Sequence, residues 1–572
     1  MAGRGQRLTW RLMLLVLALC LCTAAIVVRL VQVQIIDRDY YAAQAEDEHL
    51  HQALMRAPRG AILDRSGYPL ATTVGAFDVY IDPRRWADDA TALTAAAELA
   101  PLLNEDVSEL IAATRAQEQG DYLVARSVGT DIALEIIARA PAGVKTINAS
   151  KRFYPEGDLA SALLGFIGTD QVGLAGIEAA FDMQLGGVPG ILIFERDGIG
   201  NPIPFGRRVV KEPVPGGDLR ITIDRYLQSL IEKTLRDAVE RNGATGGSII
   251  IMQPYTGEIL AMASLPSFRL SELDFNDESQ AGLYRNQAVT DVYPPGSVMK
   301  TVTMAAAIDL GLVSPDSTYF DDGYAEVEGA PGIRNWDFSA HGTTTMTQLL
   351  QFSLNTGAVW LSETLGAERF YANIQQFGFG QVTHIGLGGE PAGLVRTSRD
   401  DGWYPIDLAT NSFGQGISVT PLQMTSAVAA LVNGGLLMRP YIVKEVAGPD
   451  GYRSYQPVVV RRVVSEETSN ALVDMMGAVV DGMPGHLAQT PGYTVGGKTG
   501  TTTFPTGPDT IATFIGFAPR EDPRFIMLVK IDAPTGGGLG GVVAAPIFSE
   551  LTPDILTYLG VEPAVAFVEG SP

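Results

Sequence analysis

Three short clusters in this chain combine residue types that can break and remake an acyl bond. Ser297-Val-Met-Lys300 follows Tyr293-Pro-Pro-Gly296, Ser353-Leu-Asn355 comes next, and Lys498-Thr-Gly-Thr501 lies far downstream. Pro294, Pro295 and Gly296 cannot sit deep in a helix, whereas Val298 to Leu310 can form one, so Ser297 is expected at a helix N-terminus. Free N–H groups and the helix dipole favour negative charge there, which suits a serine whose attack creates an oxyanion. Lys300 is three residues on and shares a helical face with Ser297. A lysine held in a desolvated pocket loses its proton and can serve as the base. Each cluster alone has a plainer reading. Ser297 could be an N-cap, Lys300 a solvated helix lysine, Ser353 and Asn355 a polar helix face, and Lys498 a solvated lysine on an edge strand. The ordered triple outweighs those readings, because the chain holds only eight lysines and a single Ser-x-x-Lys.

The elements that must carry these clusters are legible around them. Leu219-Arg-Ile-Thr-Ile223 is strand-like. Asp224 is a plausible N-cap for a helix through Arg241, with Leu227, Leu230, Ile231 and Leu235 on one face. Ser248–Met252 and Glu258–Met262 flank Pro254-Tyr-Thr-Gly257 and read as a hairpin. Thr513–Phe517 and Phe525–Ile531 read as a second strand pair, with a long, mostly helical stretch between the two sets. An antiparallel sheet with helices inserted between its strands is the simplest α/β (α+β) architecture. Upstream, Arg59–Gly67 reads as a short strand ending in a turn. Residues 70–215 mix apolar runs with Gly and Pro turns, and Pro213-Val-Pro-Gly-Gly217 reads as a linker.

Composition narrows the function further. The 572 residues carry 41 basic and 64 acidic side chains, a net charge of −23. That argues against nucleic acid as a partner, since phosphates call for a basic face. The only cysteines, Cys20 and Cys22, share one apolar run, and the five histidines show no His-Glu-x-x-His. Neither an internal disulfide nor a bound metal is expected. Leu12–Val28 is uncharged, and Arg4, Arg7 and Arg11 precede it. By the positive-inside rule, residues 1–11 are cytoplasmic, 12–31 form a transmembrane anchor and the remainder lies outside. A signal peptide cleaved near Thr23-Ala24-Ala25 is the alternative. Residues 37–55 are polar, lack Gly and Pro, and are expected to prolong the anchor as a helix.

The three clusters, in this order, resemble those of serine penicillin-recognising enzymes. Gly216–Asp224, Thr256–Ala263, Phe413-Gly-Gln-Gly416 and Val419-Thr-Pro-Leu-Gln423 look like the transpeptidase domain of a class B penicillin-binding protein, and Arg59-Gly-x-Ile-x-Asp-Arg65 and Gly173-Leu-Ala-Gly-Ile-Glu178 look like its non-catalytic pedestal. Leu354 stands where class A β-lactamases carry Asp. The resemblance implies a pedestal over 37–217, a transpeptidase domain over 218–560 and a tail over 561–572. It implies a peptidoglycan D,D-transpeptidase of the bacterial plasma membrane that needs no cofactor. Ser297 would attack the D-Ala-D-Ala carbonyl of a stem peptide, Lys300 would take its proton, Ser353 would relay it and Asn355 would hold the substrate amide. Lys498, Thr499, Gly500 and Thr501 would form the strand that binds the terminal carboxylate. The implied partners are stem peptides, β-lactams, a membrane-embedded glycan polymerase and other wall-synthesis proteins. With no Asn-Arg pair before Arg59-Gly60, the membrane-proximal segment looks more like the division type than the elongation type.

Competing readings fit less well. Gly492-Tyr-Thr-Val-Gly-Gly-Lys498-Thr499 matches a P-loop pattern, but Gln489-Thr-Pro-Gly492 precedes it and a poor helix former, Thr501–Pro505, follows. Glu46-Asp47-Glu48-His49 resembles the acidic motif of a glycosyltransferase module but lacks its Phe and Gly. A β-lactamase or D,D-carboxypeptidase would have little use for the anchor and pedestal. A non-catalytic scaffold would not need Ser297, Lys300, Asn355 and Lys498.

Overall fold

A computed structural model describes residues 4–41, 50–117, 120–195, 208–273, 277–483, 485–504, 507 and 509–563. The Glu46–His49 motif therefore lies outside the described residues, as does most of the 561–572 tail. The chain divides into two compact units, one of residues 1–58 and 187–216, the other of residues 59–186 and 217–572.

The first unit opens with a helix over Arg4–Val31. Trp10–Ile36 is long and apolar enough to cross a membrane, and its leucines and valines are exposed along its length. Exposed apolar side chains of this density are compatible with a single-pass membrane anchor. Residues 50–55 correct the expected helical extension. Leu50–Met55 is a strand, paired in antiparallel register with Gly190–Glu195, which in turn pairs with Arg208–Lys211. A polar stretch without Gly or Pro does not specify a helix. Here the pairing partner lies more than a hundred residues downstream, beyond the reach of local pattern.

The second unit is built on two sheets. The larger spans both halves of the unit, in the order 451–454, 443–448, 218–221, 62–63, 69–81, 122–129, with Val144–Phe153 also paired to Pro69–Ile81. Ile62 and Leu63 run parallel to Leu219 and Arg220. The strand expected at Arg59–Gly67 is thus the seam between the N-terminal module and the strand that opens the C-terminal domain. A Cβ on Gly60 would lie 2.0 Å from Gly217 O, so only glycine permits that approach.

The two pedestal motifs meet beside this seam in a buried ion cluster. Arg59 Nε donates to Glu178 Oε2 at 2.6 Å, and Arg152 Nε donates to Glu178 Oε1 at 2.7 Å. Arg59 also reaches Asp182 Oδ1 at 2.6 Å, and Arg152 reaches Gly60 O at 2.7 Å. Glu178 is fully buried, so its two guanidinium partners replace the water it has lost.

The second sheet carries the Lys498–Thr501 cluster on one of its strands. We label its strands β1 (Gly246–Met252), β2 (Ile259–Leu265), β3 (Gly496–Thr503), β4 (Thr510–Ala518) and β5 (Phe525–Asp532). Their order is β2-β1-β5-β4-β3, antiparallel throughout, so both expected hairpins form and β3 lies at an edge. Strands β1 and β5 are buried along their whole length. Their side chains alternate between two cores. Ile249, Ile251, Met527 and Val529 pack with helix α1 (Arg225–Arg241) and a helix over Gly540–Tyr558, while Ile250, Met252, Ile526 and Leu528 face the helices that hold the catalytic clusters. Asp224 caps α1 as expected, accepting from Tyr226 and Leu227 N–H.

Replacing Glu178 by alanine leaves two buried guanidinium groups without their shared counter-ion. The expected loss is about 3–5 kcal/mol, read from denaturant unfolding of the full chain in detergent. A loss under about 1 kcal/mol, the worth of an exposed pair, would show that the cluster is solvated in solution.

Candidate active site

Ser297 sits in a 3-10 turn, Gly296–Val298, that leads directly into helix α2 (Met299–Asp309). The turn is pressed onto β3. A Cβ on Gly500 would lie 2.9 Å from Pro295 O and 3.0 Å from Val298 Cγ2, which makes glycine the residue that lets strand and turn touch. Gly500 is therefore a spacer rather than a side-chain contact.

Ser353 ends helix α3 (Met346–Phe352), and Asn355 begins helix α4 (Asn355–Leu365). Ser353 holds a left-handed backbone, φ 56°. Such strain costs of order 1–3 kcal/mol in a non-glycine residue and persists only where the surroundings impose it. Here Lys300 imposes it. Its Nζ donates to Ser353 O at 2.6 Å and to Asn355 Oδ1 at 2.8 Å, and lies 3.3 Å from Ser353 Oγ. Asn355 is held the right way round by its Nδ2, which donates to Arg334 O at 3.0 Å.

Lys498 approaches from the other side. Its Nζ donates to the same Ser353 Oγ at 3.0 Å and to Thr499 O at 3.1 Å. Lys300 and Lys498 are each 1 % exposed, and neither has a carboxylate partner among the described residues. Burial pushes the Lys300 amine well below its usual range, and the charge of Lys498 pushes it the same way. Burial brings Lys498 down to about 7. Two ammonium groups bonded to one hydroxyl oppose each other's charge. A neutral Lys300 has two N–H groups for Ser353 O and Asn355 Oδ1, and its lone pair is left to accept a proton.

Ser297, Ser353, Asn355, Thr499 and Thr501 line one cavity of about 250 Å3, and the two lysines lie under its floor. All eight residues singled out in the sequence therefore converge here: five on the cavity wall, two beneath it, and Gly500 at the contact with the nucleophile turn. The plainer alternatives for Lys300 and Lys498 are overturned, since neither is solvated. Thr501 Oγ1 accepts the N–H of Gly540, which ties β3 to the following helix. The cavity also uses residues that sequence reasoning left unassigned: Trp336, whose Nε1 donates to Phe352 O at 2.9 Å, and Met483, His486 and Val542. Phe413 and Gln415, already part of a quoted motif, also line it. Among the described residues no cluster of His, Cys, Asp and Glu is arranged to hold a metal.

The penicillin binding protein transpeptidase domain family matches residues 247–552, and the penicillin-binding protein dimerisation domain family matches residues 54–221. Stage V sporulation protein D of Bacillus subtilis is 36 % identical over 547 residues, covering 94 % of this chain and 83 % of that protein. The peptidoglycan D,D-transpeptidase FtsI of Escherichia coli is 32 % identical over 568 residues, covering 97 % of this chain and 93 % of that one. Penicillin-binding protein 3 of Mycobacterium tuberculosis, solved with aztreonam, superimposes with a TM-score of 0.69 at 28 % identity, covering 91 % of this chain and all of that one.

The depressed Lys498 predicts a pH dependence with a definite sign. Between about 7 and the usual 10.5 the unfolded chain holds a proton on this lysine that the folded chain has shed. Stability therefore rises with pH across that window. Denaturant midpoints measured from pH 7 to 10 should climb in the wild type and climb less in Lys498→Met. A slope unchanged by the substitution would mean that Lys498 is charged in the free protein.

Proposed function

The chain belongs to the class B penicillin-binding proteins, and from that premise we propose that it is a penicillin-sensitive peptidoglycan D,D-transpeptidase working through an acyl-serine intermediate. The observation that carries this reading is the buried, uncompensated Lys300 amine held against Ser353 and Asn355. In this reading Lys300 takes the proton of Ser297 as Oγ attacks the carbonyl between the two terminal D-alanines. The C–N bond then breaks and D-alanine leaves as the amine, with its proton delivered through Ser353. An amine of a neighbouring stem peptide attacks the ester, forms the cross-link and frees Ser297.

The remaining roles follow from charge and position. Thr499 and Thr501 on the cavity wall receive the substrate carboxylate, and Lys498 beneath them supplies the opposing charge. An anion there raises the affinity of Lys498 for its proton, so binding above pH 7 takes a proton up. The N–H groups of Ser297 and Thr501 form the oxyanion hole, worth a few kcal/mol per donor. The terminal helix is the anchor, with Arg4, Arg7 and Arg11 inside the plasma membrane's cytoplasmic face and the catalytic domain outside. The pedestal lifts the site and docks a glycan polymerase. A septal role is our reading of the membrane-proximal segment, and a fluorescent fusion that lines the side wall instead of the division plane would overturn it.

Ser297→Ala should abolish covalent labelling by fluorescent penicillin while the unfolding midpoint is kept. Arginine cannot shed its proton, so Lys300→Arg should slow acylation by about two to four orders of magnitude with the charge retained. Persistent labelling in Ser297→Ala would refute the nucleophile, and near-normal acylation in Lys300→Arg would refute the base.

A further inference from the structure

The catalytic sheet has two edges, and only β3 takes part in the chemistry above. The opposite edge strand, β2, would expose a row of peptide groups unless the chain covered them. Three positions are covered. Ile259 N–H donates to Tyr441 O at 3.2 Å, and Ile259 O accepts from Thr222 Oγ1 at 2.7 Å. Asp224 N–H donates to Leu260 O at 2.8 Å. The Gln228 carboxamide brackets Met262, giving Nε2 to Met262 O and taking Met262 N–H on Oε1, both at 2.8 Å. An antiparallel ladder alternates, so Ser264, two residues on, turns its N–H and C=O outward just as Met262 does. No group among the described residues takes either one, and the buried Ser264 hydroxyl has no partner.

This uncovered position opens on a cavity of about 400 Å3, separate from the catalytic one. Its walls come from residues 160–163, from Glu232 and Arg236 of α1, and from residues 267–269. Glu232 braces the wall: Oε1 accepts from Ala160 N–H at 2.7 Å and from Gln228 Nε2 at 2.8 Å. Arg236, one helical turn further on, is exposed and forms no ion pair among the described residues. Arg269, by contrast, is already paired with Asp158 and Glu272.

We propose that this cavity is a docking site for the carboxy-terminal end of a short extended peptide, which adds to β2 at Ser264 and sets its carboxylate on Arg236. The chain's own Gln228 already shows how an amide pairs with this edge, and strand addition is a general mode of peptide recognition. The volume lies within the usual range for ligand pockets, about 300–1,000 Å3. Leu163, Leu235, Met262 and Phe268 offer an apolar bed for one small side chain.

The test uses the full chain in detergent and N-acetyl-tri-L-alanine as the probe, whose L-residues keep it from being read as a D-Ala-D-Ala substrate. Millimolar peptide should slow hydrogen exchange in residues 259–268. Ser264→Pro removes an outward N–H and no ladder bond, and Ala162→Leu fills the cavity from the opposite wall. Each should weaken binding by about tenfold, the equivalent of one hydrogen bond or more. Arg236→Gln should weaken the free acid by about fivefold and leave the C-terminal amide unaffected. Absence of slowing, or equal binding by wild type and both Ser264→Pro and Ala162→Leu, would overturn the site. An Arg236→Gln that treats acid and amide alike would overturn its carboxylate end.

Discussion

The protein depends on keeping two lysines dry around one hydroxyl. An exposed pair of ammonium groups would stay charged, and neither could act as a base. Here Lys300 and Lys498 arrive on different elements, the nucleophile helix and the edge strand, and both bond Ser353 Oγ. Their mutual repulsion favours the state with one neutral amine. Burial lowers both amines, and Lys300 has two acceptors, Ser353 O and Asn355 Oδ1, that match the N–H groups of a neutral amine.

Holding that arrangement explains much of the surrounding architecture. Strain at Ser353 is repaid by the short Lys300 bond to its carbonyl, and Asn355 is oriented by Arg334 O. Gly500 lets the nucleophile turn sit on β3, which fixes one lysine relative to the other. Strands β1 and β5 are buried along their whole length, so the sheet that carries Lys498 at its edge is anchored between two cores.

Much of this was legible in the sequence because the signals were local. Asp224 announced its helix, the apolar runs announced β1, β2, β4 and β5, and the Pro-Pro-Gly run fixed where the nucleophile helix could begin. The order of the three clusters grouped residues that the structure brings together around one cavity. What escaped was set by contacts distant in sequence. The strand at 50–55 is defined by its partner at 190–195. Trp336 and His486 line the cavity only because their loops fold over it, and neither carries a spacing to the nucleophile. The solvated reading of Lys498 failed for the same reason: edge position predicts exposure, but the helix over Gly540–Tyr558 and the Ser353 turn enclose the strand.

The motifs around Arg59 and Glu178 extend the same logic to the part of the chain that matches the dimerisation domain family. Arg59, Glu178 and Arg152 are far apart in sequence, and each would be costly to bury alone. Together they hold Gly60 beside the seam strand 62–63, and through that strand the large sheet runs unbroken from strand 69–81 into strand 218–221. The register of the seam is set by the pairs of Ile62 and Leu63 and by the bonds from Leu219 N–H to Ala61 O at 2.8 Å and from Arg65 N–H to Ile223 O at 2.9 Å, while the buried ion cluster fixes the chain just before them.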